Sequence, residues 1–250
     1  MNIQGLQKMT LLDYPGKVAC TVFLSGCNFR CPFCHNSELL DDSAPTVMDD
    51  RELLRFLESR KGMLEGVAFT GGEPLMRKEL PQLLEQIKAM GYPVKLDTNG
   101  AFPDRLQAVV KAGLVDYVAM DIKNSPEKYA VTCGLSDMGY NGANPCKQGS
   151  LLDKVEQSKN FLMEAGSKSL TGGPAIDYEF RTTTMAQLHD SDSFRAIGQW
   201  IRGAGQYYLQ PFTDRDTVAV AGFHAPGEDE LRRYADLVRP FVREVAIRGL

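Results

Sequence analysis

Apolar runs of strand length alternate along this sequence with amphipathic stretches of helix length, and that alternation admits few architectures. The runs fall at residues 19–25, 66–70, 94–98, 115–122, 178–184, 207–211 and 242–247. They are rich in Val, Phe, Ile or Tyr and mostly continuous, as expected of strands covered on both faces. Between them, Leu53, Phe56 and Leu57 follow Asp49 and Asp50, acidic residues that suit a helix start. Leu80, Leu83, Leu84 and Ile87 recur at helical spacing up to Gly91, and Leu106, Val109 and Val110 up to Gly113, each glycine placed to cap a helix C-terminus. Val155 and Leu162, then Phe194, Ile197 and Ile201, then Leu231, Tyr234 and Val238 continue the theme. Strand–helix repetition implies parallel βα units and an α/β fold. No shift in composition marks a linker, so the expectation is one domain over residues 1–250, interrupted by irregular loops at about 124–150 and 167–175. In such folds chemistry collects at the C-terminal ends of the strands, so functional motifs should follow strands directly.

Net charge is −4 at pH 7, with no run of Lys or Arg. Tight non-specific binding to nucleic acid, which depends on neutralising phosphates, is not expected. The N-terminus lacks the basic-then-apolar pattern of a signal peptide, and no apolar stretch reaches the roughly 20 residues that span a bilayer. The expectation is a cytoplasmic protein without a membrane partner. Six cysteines occur, at 20, 27, 31, 34, 133 and 146, and three of them fall within eight positions. In such a compartment, clustered cysteines point to metal binding or catalysis rather than disulfides.

That cluster lies in Gly26-Cys27-Asn28-Phe29-Arg30-Cys31-Pro32-Phe33-Cys34-His35-Asn36, directly after the first apolar run. Three thiolates on one loop can converge on one face of a 4Fe–4S cluster, and where four cysteines would cap all four irons, three leave one iron free for a ligand. Zinc would want a fourth ligand, Cys31-Pro32-Phe33-Cys34-His35 also fits covalent haem attachment, and buried structural thiols have no reason to share a loop. Further strand ends carry further motifs. Thr70-Gly71-Gly72-Glu73-Pro74 pairs glycines, which let a ligand approach bare backbone, with a carboxylate able to accept from an ammonium group. The similar Thr171-Gly172-Gly173-Pro174 lacks the glutamate and reads as a loop. Asp97-Thr98-Asn99-Gly100 reads as a turn or a ligand site, and Asp121-Ile122-Lys123 as a salt pair or a ligand site, with both charges on one side of the strand. Arg181 is a strand arginine, and Asp13-Tyr14-Pro15-Gly16 reads as a turn. His189 and His224 are isolated and read as ordinary histidines, Cys20 as a buried inert thiol. Cys133 and Cys146 are too few for a second cluster; metal, disulfide and no role remain open for them.

The C-x3-C-x2-C loop with an aromatic before its last cysteine resembles the radical S-adenosylmethionine superfamily, and the wider sequence resembles the activating enzymes of glycyl-radical enzymes. The resemblance implies a partial (βα)6 barrel, one 4Fe–4S cluster on Cys27, Cys31 and Cys34, and S-adenosylmethionine bound near Phe33, His35, Gly71, Gly72, Glu73, Asp97, Lys123 and Arg181. It assigns Glu73 and Asp97 to the methionine ammonium, Lys123 to its carboxylate, a monovalent cation to Asp97, Thr98 and Asp121, and a contact with the protein substrate to Asp13. The activity implied is reductive cleavage of S-adenosylmethionine to a 5′-deoxyadenosyl radical, which abstracts hydrogen from a glycine of a partner glycyl-radical enzyme, with flavodoxin or ferredoxin as electron donor. The strings Gln7-Lys8-Met9-Thr10-Leu11-Leu12-Asp13-Tyr14-Pro15-Gly16 and Val118-Ala119-Met120-Asp121-Ile122-Lys123 lean toward the activators of anaerobic ribonucleoside-triphosphate reductase. Other radical S-adenosylmethionine enzymes, acting on a nucleoside, peptide or small molecule, are the alternative. The ribose contact is not assigned, because Phe212-Thr213 stands where the resemblance would place a histidine.

Overall fold

A computed structural model describes residues 1–135, 150–166 and 176–250. Cys146 and the Thr171-Gly172-Gly173-Pro174 string lie outside the described residues. Every expected strand forms: β3 (Ala19–Leu24), β5 (Gly66–Gly71), β6 (Val94–Thr98), β7 (Tyr117–Asp121), β8 (Asp177–Thr184), β9 (Gln206–Pro211) and β10 (Glu244–Ile247), all parallel. The helices between them are α1 (Asp50–Ser59), α2 (Leu80–Ala89), α3 (Pro103–Lys111), the short α4 (Tyr129–Thr132) with α5 (Leu151–Ala165), α6 (Ser191–Trp200) and α7 (Glu228–Val238). Six βα units are therefore followed by a seventh parallel strand.

Three strands escape the periodicity reading. β2 (Gly5–Thr10) pairs antiparallel with β3, and the two-residue β1 (Asn2–Ile3) pairs with β4 (Met48–Asp49). In β2, Gln7, Lys8 and Met9 are exposed, so the apolar signal is absent. The main sheet runs β10-β9-β8-β7-β6-β5-β3-β2, leaving β2 and β10 as separate edges. It nevertheless curls: Tyr14, before β3, packs its ring 6.0 Å from that of Tyr117 at the start of β7.

Local chemistry fixes the helix ends. Asp49 caps α1 in a capping box with Glu52, and Asp190 does the same for α6 with Ser193. The glycines expected to terminate α2 and α3 do so, Gly91 at φ +90° and Gly113 at φ +69°, angles at which a Cβ is strained.

The two faces of the sheet differ. Cys20, Val22, Leu24, Val67, Phe69, Val94, Leu96, Val118, Met120 and Phe180 face the helices and form the main core. The alternate positions point into the curl and include Ala19 and Ala119, but also Lys95, Asp97, Asp121, Glu179 and Arg181. The lumen is a polar interior. Among the described residues, no helix is long and apolar enough to cross a membrane.

Candidate functional site

The cysteine loop leaves β3 and is pinned on both sides. Gly26 and Cys27 donate their amides to the carbonyls of Leu39 and Leu40 (2.8 and 3.0 Å), and Cys34 to Cys31 (3.1 Å). The Arg30 guanidinium turns back to the carbonyls of Cys27 and Phe29 (2.6 and 2.8 Å), while the Phe29 ring is buried. Cys27, Cys31 and Cys34 consequently line one cavity of about 250 Å³. Burial pushes the Cys27 thiol up to about 11 and raises Cys34, so both must shed a proton to bind metal. Cys31 is held below the usual thiol range, chiefly by a hydrogen bond from Cys133.

The remaining walls come from the C-terminal ends of successive strands, where parallel folds place their chemistry. Thr70 and Gly71 close β5 and Gly72 follows it, Asp97 and Thr98 close β6 and Asn99 follows it, Asp121 closes β7 with Lys123 just beyond, Arg181 and Thr183 lie in β8, and Gln210 in β9. The floor is an alternating ion chain. Arg181 Nε donates to Asp121 (2.6 Å) and its Nη2 reaches Asp97 (3.1 Å); Lys123 Nζ donates to Asp121 (2.8 Å), and the buried Lys95 donates to Asp97. Burial alone would raise both aspartates, but Arg181 together with Lys95 holds Asp97 below the carboxylate range, and Arg181 with Lys123 does the same for Asp121. Three cations face two carboxylates, so the floor carries excess positive charge.

Two groups of expected site residues already have protein partners. The carboxylates of Asp97 and Asp121, expected to hold a monovalent cation, are already neutralised by Lys95, Arg181 and Lys123. Thr98, the third expected ligand, gives its hydroxyl to Glu73 (3.0 Å). Glu73 itself does not face the cavity. Its oxygens accept from the amides of Leu75 (3.0 Å) and Asn99 (2.7 Å) besides Thr98, and it is fully buried. Burial outweighs these donors and lifts its carboxyl to about 7. Glu73 ties the β5 turn to the β6 turn. The glycine pair likewise serves packing: a Cβ on Gly71 (φ +117°) would lie 2.3 Å from the Leu24 carbonyl oxygen, and one on Gly72 2.3 Å from that of Gly26.

Phe33 and His35 line the cavity on the loop side. His35 stacks on Phe212 at 5.1 Å and its Nε2 lies 2.7 Å from the Thr213 carbonyl, while Ser37 donates to the Thr217 carbonyl. Phe212-Thr213 thus holds His35 in place. Asp13 is not brought to the cavity. Its turn joins β2 to the N-terminal end of β3, at the opposite end of the strands, and its carboxylate accepts from Thr21 (2.6 Å). Met9, Leu11 and Leu12 beside it are exposed.

Several participants were not assigned to the site from the sequence. Asn99 lines the cavity and donates to Asn28 (2.9 Å), Asn36 donates to the Gly71 carbonyl (3.0 Å), and buried Lys95 braces Asp97. His189 is buried, with Nε2 2.9 Å from the Lys123 carbonyl, and burial depresses its pKa, so it is a neutral brace for that strand end. The period-2 rule applied onward from Arg181 would have found Thr183.

Among the described residues, no three His, Cys, Asp or Glu side chains converge tightly enough for a single metal ion, unlike a closed zinc site. Three thiols spread along one cavity wall suit a polynuclear sulfide cluster instead. The sequence profile of the radical SAM superfamily matches residues 21–144, the span holding the cysteine loop and the β5, β6 and β7 motifs. The chain belongs to the radical SAM superfamily. Its members work with a 4Fe–4S cluster and S-adenosylmethionine, as the resemblance implied. One relative, from Methanocaldococcus jannaschii and named among the glycyl-radical enzyme activating enzymes, is 27% identical over 99% of this chain and 96% of its own length. The pyruvate formate-lyase-activating enzyme of Clostridium pasteurianum is 30% identical over 56% of this chain and 60% of its own. In fold, this radical SAM chain is similar to Streptococcus suis SuiB bound to S-adenosylmethionine, with a TM-score of 0.63 and 12% identity over 92% of this chain. It spans about half of the SuiB chain, 52%.

Proposed function

We propose that this radical SAM chain is an activating enzyme for a glycyl-radical enzyme, with anaerobic ribonucleoside-triphosphate reductase as the partner. The observation that carries the reading is a cavity with three thiols on one wall and an excess of cations on its floor, in a chain matched nearly end to end by a relative named for this activity.

Cys27, Cys31 and Cys34 would hold the cluster, leaving one iron without a protein ligand. The excess positive charge of Lys123 and Arg181 faces the carboxylate of S-adenosylmethionine, with Asp121 between them fixing both cations. We assign the ammonium group to the backbone carbonyls of Thr70, Gly71 and Gly72, residues that line the cavity, rather than to the Glu73 carboxylate or to Asp97, which is already paired with Lys95 and Arg181. Phe33 and the His35–Phe212 stack wall off the loop side and keep water out. When bound, cluster and S-adenosylmethionine together supply reductive carbon–sulfur cleavage and a radical able to abstract hydrogen from a backbone glycine. Asp13, at the other end of the strands beside exposed Met9, Leu11 and Leu12, is assigned to the partner protein. A small one-electron carrier, flavodoxin or ferredoxin, would reduce the cluster.

The test is anaerobic incubation of the reduced, reconstituted protein with S-adenosylmethionine and a glycyl-radical enzyme, read by electron paramagnetic resonance. A glycyl doublet on the reductase is the expected result. Formation of 5′-deoxyadenosine with no doublet on any glycyl-radical enzyme would refute the activase reading.

A further inference from the structure

The far wall of the cavity, on β8 and β9, carries polar side chains without charge. Thr183 lies two residues beyond Arg181 on β8, on the same luminal side, and its Cα partner on β9 is Gln210. Both side chains line the cavity and both are partly exposed. Among the described residues, neither the Thr183 hydroxyl nor the Gln210 carboxamide is engaged by another protein group. Other neutral polar residues of the cavity differ: Asn36 donates to the Gly71 carbonyl (3.0 Å), Asn99 to Asn28 (2.9 Å) and Thr98 to Glu73 (3.0 Å). Phe212 and Thr213, just past Gln210, are turned to His35, the ring of one stacking on it and the carbonyl of the other lying 2.7 Å from its Nε2.

A ligand that fills the cavity strips water from Thr183 and Gln210, and a polar group left without a partner is costly. The part of the ligand against them must therefore be polar. It should also be uncharged, since no ion faces it there and the excess cations lie one luminal step below, at Arg181 and Lys123. A hydroxyl and a carboxamide each donate and accept, as do the two hydroxyls of a ribose. The pair sits about 7 Å further along β8 than Arg181, two residues at strand rise. That offset suits a sugar joined to the carboxylate end through the short methionine side chain and its sulfonium.

We propose that Thr183 and Gln210 hold the ribose of S-adenosylmethionine, the hydroxyl and the carboxamide each hydrogen-bonding one of its two hydroxyls. This rests on the assignment of Lys123 and Arg181 to the cofactor's carboxylate. The two residues are specificity-determining: they select a ribosyl over a deoxyribosyl ligand and fix the adenosyl group by its sugar.

The experiment measures affinity by equilibrium dialysis on the reconstituted protein, for S-adenosylmethionine and for its 2′-deoxy and 3′-deoxy analogues. Wild type should bind at least one analogue roughly threefold to tenfold more weakly, the range for a neutral hydrogen bond; this arm needs no variant to fold. Thr183→Val and Gln210→Leu, checked first for iron content and far-ultraviolet circular dichroism, should each lose a similar factor for S-adenosylmethionine. Each loss should vanish for the analogue that lacks the hydroxyl in contact, and Thr183→Ser, which keeps a hydroxyl, should stay near wild type. Equal affinity of wild type for all three ligands, variants that bind S-adenosylmethionine as wild type does, or a loss equal for all three ligands overturns the inference and leaves the cofactor site standing. A wild type that binds no S-adenosylmethionine removes the site and the inference together. Binding as expected without a glycyl doublet on any partner removes the activase reading and leaves the ribose assignment in place.

Discussion

Replacing Arg181 with Leu tests the charged floor most directly. Arg181 bridges Asp97 at 3.1 Å and Asp121 at 2.6 Å, and its side chain is only 13% exposed. Breaking a buried pair by removing one partner costs about 3–5 kcal/mol. Here each carboxylate keeps a lysine, Lys95 or Lys123, so the lower end applies, about 3 kcal/mol. At about 2–4 °C per kcal/mol for a chain of this size, the midpoint should fall by roughly 6–12 °C, leaving a folded protein to assay. The floor would then hold two cations and two carboxylates, with no excess charge for a ligand carboxylate. A unit charge at about 6 Å under an effective dielectric of about 20 is worth close to 3 kcal/mol, about 100-fold in affinity. Equilibrium dialysis with the reconstituted protein should show that loss for S-adenosylmethionine and far less for its decarboxylated analogue. Both aspartates are held below their unfolded values, so their contribution is present above the ordinary carboxylate range and lost as pH falls through the depressed folded values. Without Arg181 that loss should begin at higher pH. Equal affinity of variant and wild type, or an equal loss for both ligands, would refute the reasoning.

Cys27→Ala, Cys31→Ala and Cys34→Ala should each abolish the broad iron–sulfur absorbance after reconstitution, whereas Cys20→Ala, altering a buried thiol on the helix-facing side of β3, should keep it. Glu73→Gln turns an amide NH2 toward the backbone N–H donors of Leu75 or Asn99 and should cost about 1–3 kcal/mol in urea unfolding at pH 5. Because the Glu73 carboxyl is raised to about 7, wild type pays an ionisation penalty that grows as pH climbs from the unfolded value through 7, about 3 kcal/mol in all; Gln does not titrate, so the gap should narrow by pH 8. Asp13→Ala should leave partner-free 5′-deoxyadenosine formation unchanged by chromatography and lower the glycyl doublet by an order of magnitude or more if its buried partner contact resembles an interface hot spot of about 2 kcal/mol.

The sequence made the parallel strands and the cavity legible because both follow strong local rules. Continuous Val-, Phe- and Ile-rich runs mark strands whatever their neighbours, and each of the motifs at Cys27, Gly71, Asp97 and Asp121 begins where a run ends. β2 was not legible, since Gln7, Lys8 and Met9 carry no alternation on an exposed edge. The surroundings of Glu73 are illegible for a different reason: a carboxylate in a Gly-Gly-Glu-Pro turn is equally able to accept from a ligand or from amides, and only the fold shows Leu75, Thr98 and Asn99 surrounding it. Lys95 was illegible because its pairing with Asp97 is set by packing: it is a lysine buried between Val94 and Leu96, in a run that reads as a covered strand.

The contrast between the two faces of the sheet sets how this protein can change. On the helix side, Val22, Phe69 or Leu96 can be exchanged for other apolar residues of similar volume at modest cost. In the lumen a residue is held by its counterpart: Glu179 accepts from Tyr117 (2.7 Å) and Arg248 (2.5 Å), and altering one member alone strands the others. That trio lies away from the cavity lining, so it can drift as a set, an all-apolar replacement being as acceptable to the fold as the ionic original. The upper chain of Lys95, Asp97, Arg181, Asp121 and Lys123 has no such freedom, because all but Lys95 also line the cavity. Two halves of one lumen, built of the same chemistry, should therefore diverge at very different rates, the lower in coordinated jumps and the upper hardly at all.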